Sequence, residues 1–153
     1  MRDVAISACL LGRSCRYDAS DNLNDKLLSG LKLMNLIPFC PEDYAFGTPR
    51  PTMDLIQYPN KIRAISNQTQ EDLSDAIFDY AKDFFRDYPS IDIFIGKDRS
   101  PSCAVCSGKV YNKKKEILHT NGTGLMAQVA LDLGIEAWDA EEYLAILPKN
   151  SKD

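Results

Sequence analysis

Three of the five cysteines in this 153-residue chain follow short apolar segments, each in a loop containing Pro, Gly or Ser: Ala8-Cys9-Leu10-Leu11-Gly12, Pro38-Phe39-Cys40-Pro41-Glu42 and Ser100-Pro101-Ser102-Cys103. In open α/β sheets ligands gather at the carboxyl ends of the strands, so thiols remote in sequence become neighbours there. Thiolates are soft donors that suit zinc and iron–sulfur centres. Two ligand sets are open. Cys103 and Cys106 have the Cys-x-x-Cys spacing of structural zinc, and with Cys9 and Cys15 they would make a four-thiolate site, although the Cys9–Cys15 interval of five residues is wider than the usual knuckle. Cys9, Cys40 and Cys103 would instead hold a cluster from three separate strand ends, with one metal position left open. For any single cysteine, burial as a small hydrophobe is the ordinary alternative.

The elements that must carry these thiols are legible in the pattern. Residues 4–8 read as a buried central strand ending at Cys9. Apolar steps at Leu23, Leu27, Leu28, Leu31 and Met34 predict a helix across 23–36, broken or capped near Gly30. A strand over 36–39 delivers Cys40, with Pro38 unable to donate to a ladder. Gly47, Pro49, Pro51 and Pro59 predict an irregular surface loop over 44–60, and 62–66 reads as an edge strand or extended connection. Thr69 and Asp72 mark a helix start, Leu73, Ala76, Ile77, Tyr80, Phe84 and Phe85 its apolar face, and Pro89 its stop. A strand over 91–96 leads to Cys103, followed by a small hairpin from 109–111 and 116–118. Asn121-Gly122-Thr123-Gly124 opens a helix ending at Gly134, 135–138 is the last strand, and Asp139 caps a short helix that Pro148 terminates. This order predicts an α/β, Rossmann-like fold: a single domain with a mainly parallel sheet flanked by helices, over residues 1–150 with a 151–153 tail.

Composition bounds the function. A 44% hydrophobic and 26% charged chain is that of a soluble globular protein. No run is long enough for a bilayer, the start lacks a signal-peptide pattern, and five free cysteines fit a reducing compartment, so the protein is expected to be cytoplasmic, without membrane attachment and without disulfides. A net charge of −4 argues against nucleic acid as a partner. Four lysines within 109–115 read as a solvated hairpin tip. The sequence carries no signal for oligomeric state.

The blocks Ile6-Ser7-Ala8-Cys9-Leu10-Leu11-Gly12, Cys15-Arg16-Tyr17-Asp18, Cys40-Pro41-Glu42, Thr48-Pro49-Arg50-Pro51 and Lys97-Asp98-Arg99-Ser100-Pro101-Ser102-Cys103 closely resemble the thiouracil desulfidase family, formerly a family of unknown function. The resemblance spans nearly the whole chain and departs at Ala104, where the family usually has Gly, and at the glycine-poor Asp43-Tyr44-Ala45-Phe46. It implies an α/β enzyme with a [4Fe-4S] cluster on Cys9, Cys40 and Cys103. The implied reaction is the non-redox replacement of a thiocarbonyl sulfur by oxygen in a small thiolated pyrimidine or similar thioamide, releasing sulfide. A non-catalytic zinc-binding or sulfur-handling module is the alternative.

Desulfidation needs a base for the attacking water. Glu42 is the first candidate and Asp18 the second, with a helix-start carboxylate as the plain alternative for Glu42. Cys15 is assigned to the pocket, where Arg13 and Arg16 would lower its pKa, although it could instead be a ligand. Arg16, Tyr17, Arg50, Lys97 and Ser100 are candidate substrate-binding residues. Ser102, with Ser100, is a candidate hydrogen-bond donor to cluster sulfur or substrate. Ser100 also suits a turn before Pro101, and exposed ion pairs are the common fate of Arg50 and Lys97. His119 and the Asn121–Gly124 tetrad carry only weak site signals.

Overall fold

The computed structural model describes residues 2–147, so the expected terminator Pro148 and the 151–153 tail lie outside the described residues. The strands and helices run β1 (Asp3–Ser7), a 3-10 turn (Ala8–Leu11), α1 (Asp25–Gly30), β2 (Asn35–Phe39), α2 (Pro41–Phe46), β3 (Met53–Tyr58), β4 (Lys61–Ser66), α3 (Ser74–Asp87), β5 (Ile93–Gly96), β6 (Gly108–Tyr111), β7 (Ile117–Gly122), α4 (Leu125–Asp132), β8 (Glu136–Asp139) and α5 (Ala140–Ile146).

They form two four-stranded sheets. The first, in the order β2-β1-β5-β8, is parallel throughout. β1 lies between the strand that follows it and one that arrives much later, so the connections leave its carboxyl end on both sides and open a crevice there. The alternation of side chains sorts the core. Val4, Ile6, Ile93 and Ile95 face α1 and α5 through Leu27, Leu31, Ala140 and Tyr143. Ala5, Phe39 and Phe94 face α3 and α4 on the other side, in one cluster with Met53, Leu55, Ala64 and Val110 of the second sheet. The α/β architecture with a parallel sheet flanked by helices is thus as expected.

The second sheet, β4-β3-β6-β7, joins the strand expected at 62–66 and the hairpin expected at 109–118 through β3, which was not foreseen. Residues 44–60 are not an irregular loop: they contain the end of α2 and all of β3, which pairs with β4 from Met53↔Ser66 to Tyr58↔Lys61. Pro49, Pro51 and Pro59 frame β3 rather than interrupt it, and proline is tolerated at such margins. Pro38 does lie within β2, which is the edge of its sheet and has a partner on one side only. The helix expected over 23–36 shrinks to Asp25–Gly30, with the Asn24 side chain accepting the Leu27 amide at 3.0 Å. A Cβ at Gly30 would lie 2.4 Å from Leu147 Cδ1, so close packing on the end of α5 fixes that position, and the chain then turns to bring β2 alongside β1. Helix α3 begins at Ser74, after Thr69 and Asp72, because Asp72 is taken up by a bridge to Ile65.

Two glycines seat the Cys103 loop on the sheet. A Cβ on Gly96 would fall 1.7 Å from the Cys103 carbonyl oxygen, and one on Gly124 would fall 2.5 Å from the Ser102 carbonyl carbon. Backbone atoms have no rotamer with which to yield. Gly96→Ala and Gly124→Ala should each destabilise the metal-free protein by about 1–3 kcal/mol, measured as a lower urea midpoint. An unchanged midpoint would show that the loop gives way to a methyl group.

Candidate functional site

A cavity of about 640 Å³ opens at the carboxyl end of the parallel sheet, between it and the second sheet. Its wall includes Cys9, Cys15, Cys40 and Cys103. Cys9 lies in the 3-10 turn after β1, and its sulfur accepts from Asn22 Nδ2 at 3.7 Å. Cys40 is the residue between β2 and α2, its amide donating to the Tyr80 hydroxyl at 3.2 Å and its thiol to the Cys15 carbonyl at 3.8 Å. Cys103 has the side chains of Ser7 and Ser100 beside its sulfur.

The loop that presents Cys103 is fixed from three directions. The Ser100 hydroxyl accepts the amides of Ser102 and Cys103 at 3.2 and 3.0 Å, which is a turn-forming role. The start of α4 spends its free amides here: Leu125 donates to the Pro101 carbonyl, Met126 and Ala127 to that of Ser102, and Gly124 to that of Ala104. These are donors a helix leaves unpaired at its start. The Asn121–Gly124 tetrad therefore buttresses protein, and its first two residues belong to β7. Asp139, expected to cap α5, makes no side-chain cap bond; its carboxylate instead accepts the amides of Val105 and Cys106 at 2.8 and 2.9 Å and the Ser107 hydroxyl at 3.0 Å.

Glu42, in the first turn of α2, accepts a 2.8 Å hydrogen bond from the Ser102 hydroxyl and lies 3.6 Å from Arg50 Nε. The Arg50 side chain is 5% exposed and mostly committed: it donates to the carbonyls of Cys15 at 2.8 Å and Gly47 at 3.0 Å and to Thr48 Oγ1 at 2.8 Å. Among the described residues its Nε has no hydrogen-bond partner. Arg16, Tyr17, Lys97 and Ser100 line the cavity, whereas Ser102 is fully buried behind Glu42. Asp18 is outside the wall, on an exposed loop with its carboxylate bound by the amide and hydroxyl of Ser20. His119 borders a separate, smaller cavity with Lys61, Phe78 and Gln128. Lys109, Tyr111, Asp54 and Thr52 join the wall from the second sheet. Thr52 and Asp54 fell in the loop expected over 44–60, and Lys109 and Tyr111 in a hairpin whose lysines were expected to be solvated.

The zinc set of Cys9, Cys15, Cys103 and Cys106 is not brought together. Cys106 is exposed and turned the other way, its thiol 3.2 Å from Asp139 Oδ2 and 3.6 Å from Glu142 Oε1, a cluster of possible metal ligands away from the cavity.

Burial raises the pKa of Cys9 and Cys40, and raises that of Cys103 well above the usual thiol value. Cys15 is pushed up to about 12, by burial first and then by Cys40, reversing the expectation that Arg13 and Arg16 would lower it. Burial also lowers the pKa of Lys97, with the adjacent Arg99 acting in the same direction. All five cysteines are unpaired. A wall of neighbouring thiols, each costly to ionise without a cation, is a donor set that fits a thiophilic metal group, since a bound metal ion converts thiols to thiolates.

The fold and site thus define an α/β protein that gathers thiols and one carboxylate at the carboxyl ends of parallel strands. The family model described as 2-thiouracil desulfurase matches residues 4–142, and the chain belongs to that family. It is 26% identical to the uncharacterized protein YbbK of Bacillus subtilis (strain 168) over 94% of this chain and 99% of that one. A solved structure of the [4Fe-4S]-dependent thiouracil desulfidase TudS superposes with a TM-score of 0.71 and 25% identity, covering 95% of this chain and 98% of the other. No helix among the described residues is long and apolar enough to cross a membrane.

Cys106 is pushed up to about 12 by partial loss of water and by the carboxylates of Asp139 and Glu142. In metal-free protein its alkylation by iodoacetamide should still climb about tenfold per pH unit near pH 10, where an ordinary thiol has levelled off. A plateau near pH 9 in mass-spectrometric rates would contradict the carboxylate contacts.

Proposed function

We propose that this protein removes sulfur from a small thiolated pyrimidine, or a similar thioamide, by hydrolysis at a [4Fe-4S] cluster held by Cys9, Cys40 and Cys103. The observation that carries this reading is Glu42: a carboxylate steadied by a serine hydroxyl and an arginine, on the wall of the cavity that the cysteines also line. Family membership and the likeness to TudS support the same reaction class. When bound, such a cluster supplies a soft Lewis acid that holds a thiocarbonyl sulfur and polarises its carbon.

The chain's own residues do the rest. Glu42 takes the proton of the water that attacks the carbon, and the Ser102 hydrogen bond fixes the direction of its carboxylate. Arg50 holds that carboxylate in place rather than meeting substrate, because its terminal nitrogens are already bound to protein. Tyr17 and Tyr111 offer ring faces for a flat heterocycle, and Lys97 and Arg16 offer charge to its oxygen. The carbon exchanges sulfur for oxygen, sulfide departs, and no electrons are transferred. A cavity of about 640 Å³ is within the range of small-molecule sites and much roomier than a closed structural metal site needs, which favours catalysis over storage.

Protein loaded anaerobically with iron and sulfide should release sulfide from 2-thiouracil or 4-thiouracil. Glu42→Gln should lower kcat by about 10²–10⁴ with iron content unchanged. Cys9→Ala, Cys40→Ala and Cys103→Ala should each lose iron as well as activity. Colourless wild-type protein, or Glu42→Gln at full rate, would refute this reading.

A further inference from the structure

The cavity wall carries four thiols, and a three-thiolate site leaves one of them without a task. Resting on the desulfidase reading, we propose that Cys15 is an exchangeable fourth ligand, occupying the open metal position between turnovers and leaving it when substrate sulfur arrives.

Three observations carry the assignment. Cys15 is within ligand company: its carbonyl accepts from the Cys40 thiol at 3.8 Å, and it shares one cavity wall with Cys9, Cys40 and Cys103. It is 5% exposed although Arg13, Ser14, Tyr17, Asp18 and Ala19 around it are all exposed, so this segment turns its cysteine inward, into one cluster with Cys9 and Cys40. The backbone carrying it is also of a different kind. Cys9 and Cys40 adjoin strand ends and the Cys103 loop is braced by the start of α4 and by Asp139, whereas Cys15 lies in a stretch from 12 to 24 without helix or strand. The stretch is tied to the body by a few bonds, among them Arg50 to the Cys15 carbonyl at 2.8 Å, the Arg50 amide to the Tyr17 carbonyl at 2.8 Å and the Asn22 amide to the Cys9 carbonyl at 2.9 Å. Three sulfurs on braced backbone and one on a longer irregular stretch suit a permanent set and a replaceable member.

The exchange involves no oxidation. The bond from iron to the Cys15 sulfur breaks with its electron pair remaining on sulfur, which takes a proton from solvent, and a bond from iron to substrate sulfur forms in its place. Between turnovers the same thiolate shields the most reactive iron from water and oxidants.

The test compares wild type, Cys15→Ala, the size-conserving Cys15→Ser and the control Cys106→Ala, all loaded anaerobically with ⁵⁷Fe. Without substrate, wild type and Cys106→Ala should give Mössbauer spectra with all irons alike, and both Cys15 variants should show one distinct iron. Ferricyanide should strip that iron several-fold faster from Cys15→Ala, leaving a three-iron cluster visible by electron paramagnetic resonance. Adding sulfide to wild type should make one iron distinct. Identical spectra and stripping rates for wild type and Cys15→Ala would overturn the proposal alone, as would loss of the whole cluster from both Cys15 variants, which would make Cys15 a permanent ligand. Wild type that takes up no iron would overturn the functional reading along with it.

Discussion

Parallel pairing of β1 with β2 on one side and β5 on the other is the constraint on which the site depends. A parallel sheet directs its carboxyl ends one way, and a central strand whose connections depart to both sides leaves a gap between the loops above it. Cys9, Cys40 and Cys103 occupy the loops bordering that gap. The hydrophobic alternation of β1 and β5 enforces the arrangement, because a one-residue slip would exchange Val4, Ile6, Ile93 and Ile95 for residues packed against the opposite helices. Core packing therefore fixes where the thiols are.

Above the sheet a polar chain joins loops that are remote in sequence. The Cys15 carbonyl is bound by Arg50, Arg50 is paired with Glu42, and Glu42 is bound by Ser102, the neighbour of Cys103. A buried charge pair of this kind contributes little net stability, since desolvation offsets its attraction, but removing one member leaves the other uncompensated. Its value is positional: the same groups that orient the Glu42 carboxylate also fix the spacing of three cysteine-bearing segments.

The strand ends bearing Cys9, Cys40 and Cys103 were legible because short β-branched or apolar runs halted by Gly, Pro or Ser have few other foldings. So was Glu42, through its nearness to Cys40. What escaped was set by distant partners. Met53 to Tyr58 reads as a loop until β4 and β6 are placed beside it, and prolines that bound a strand look locally like prolines that forbid one. Asp18 has the composition of a site residue, yet a nearby Ser20 uses its carboxylate. Ser7 is small and ordinary in sequence, and only the fold shows its hydroxyl accepting the Lys97 amide at 2.9 Å beside Cys103. Arg50 reads equally as a substrate clamp or a structural tie, and the positions of three carbonyl and hydroxyl acceptors decide between them.

The Asp139 carboxylate that clasps residues 105–107 comes from the junction of β8 and α5, close to the end of the described chain. During synthesis, the ribosome has released Cys9, Cys40 and Cys103 well before that carboxylate emerges. The nascent polypeptide consequently holds every thiol while lacking the carboxylate that steadies the loop after Cys103, so that loop takes its final form only once the last described strand has been made.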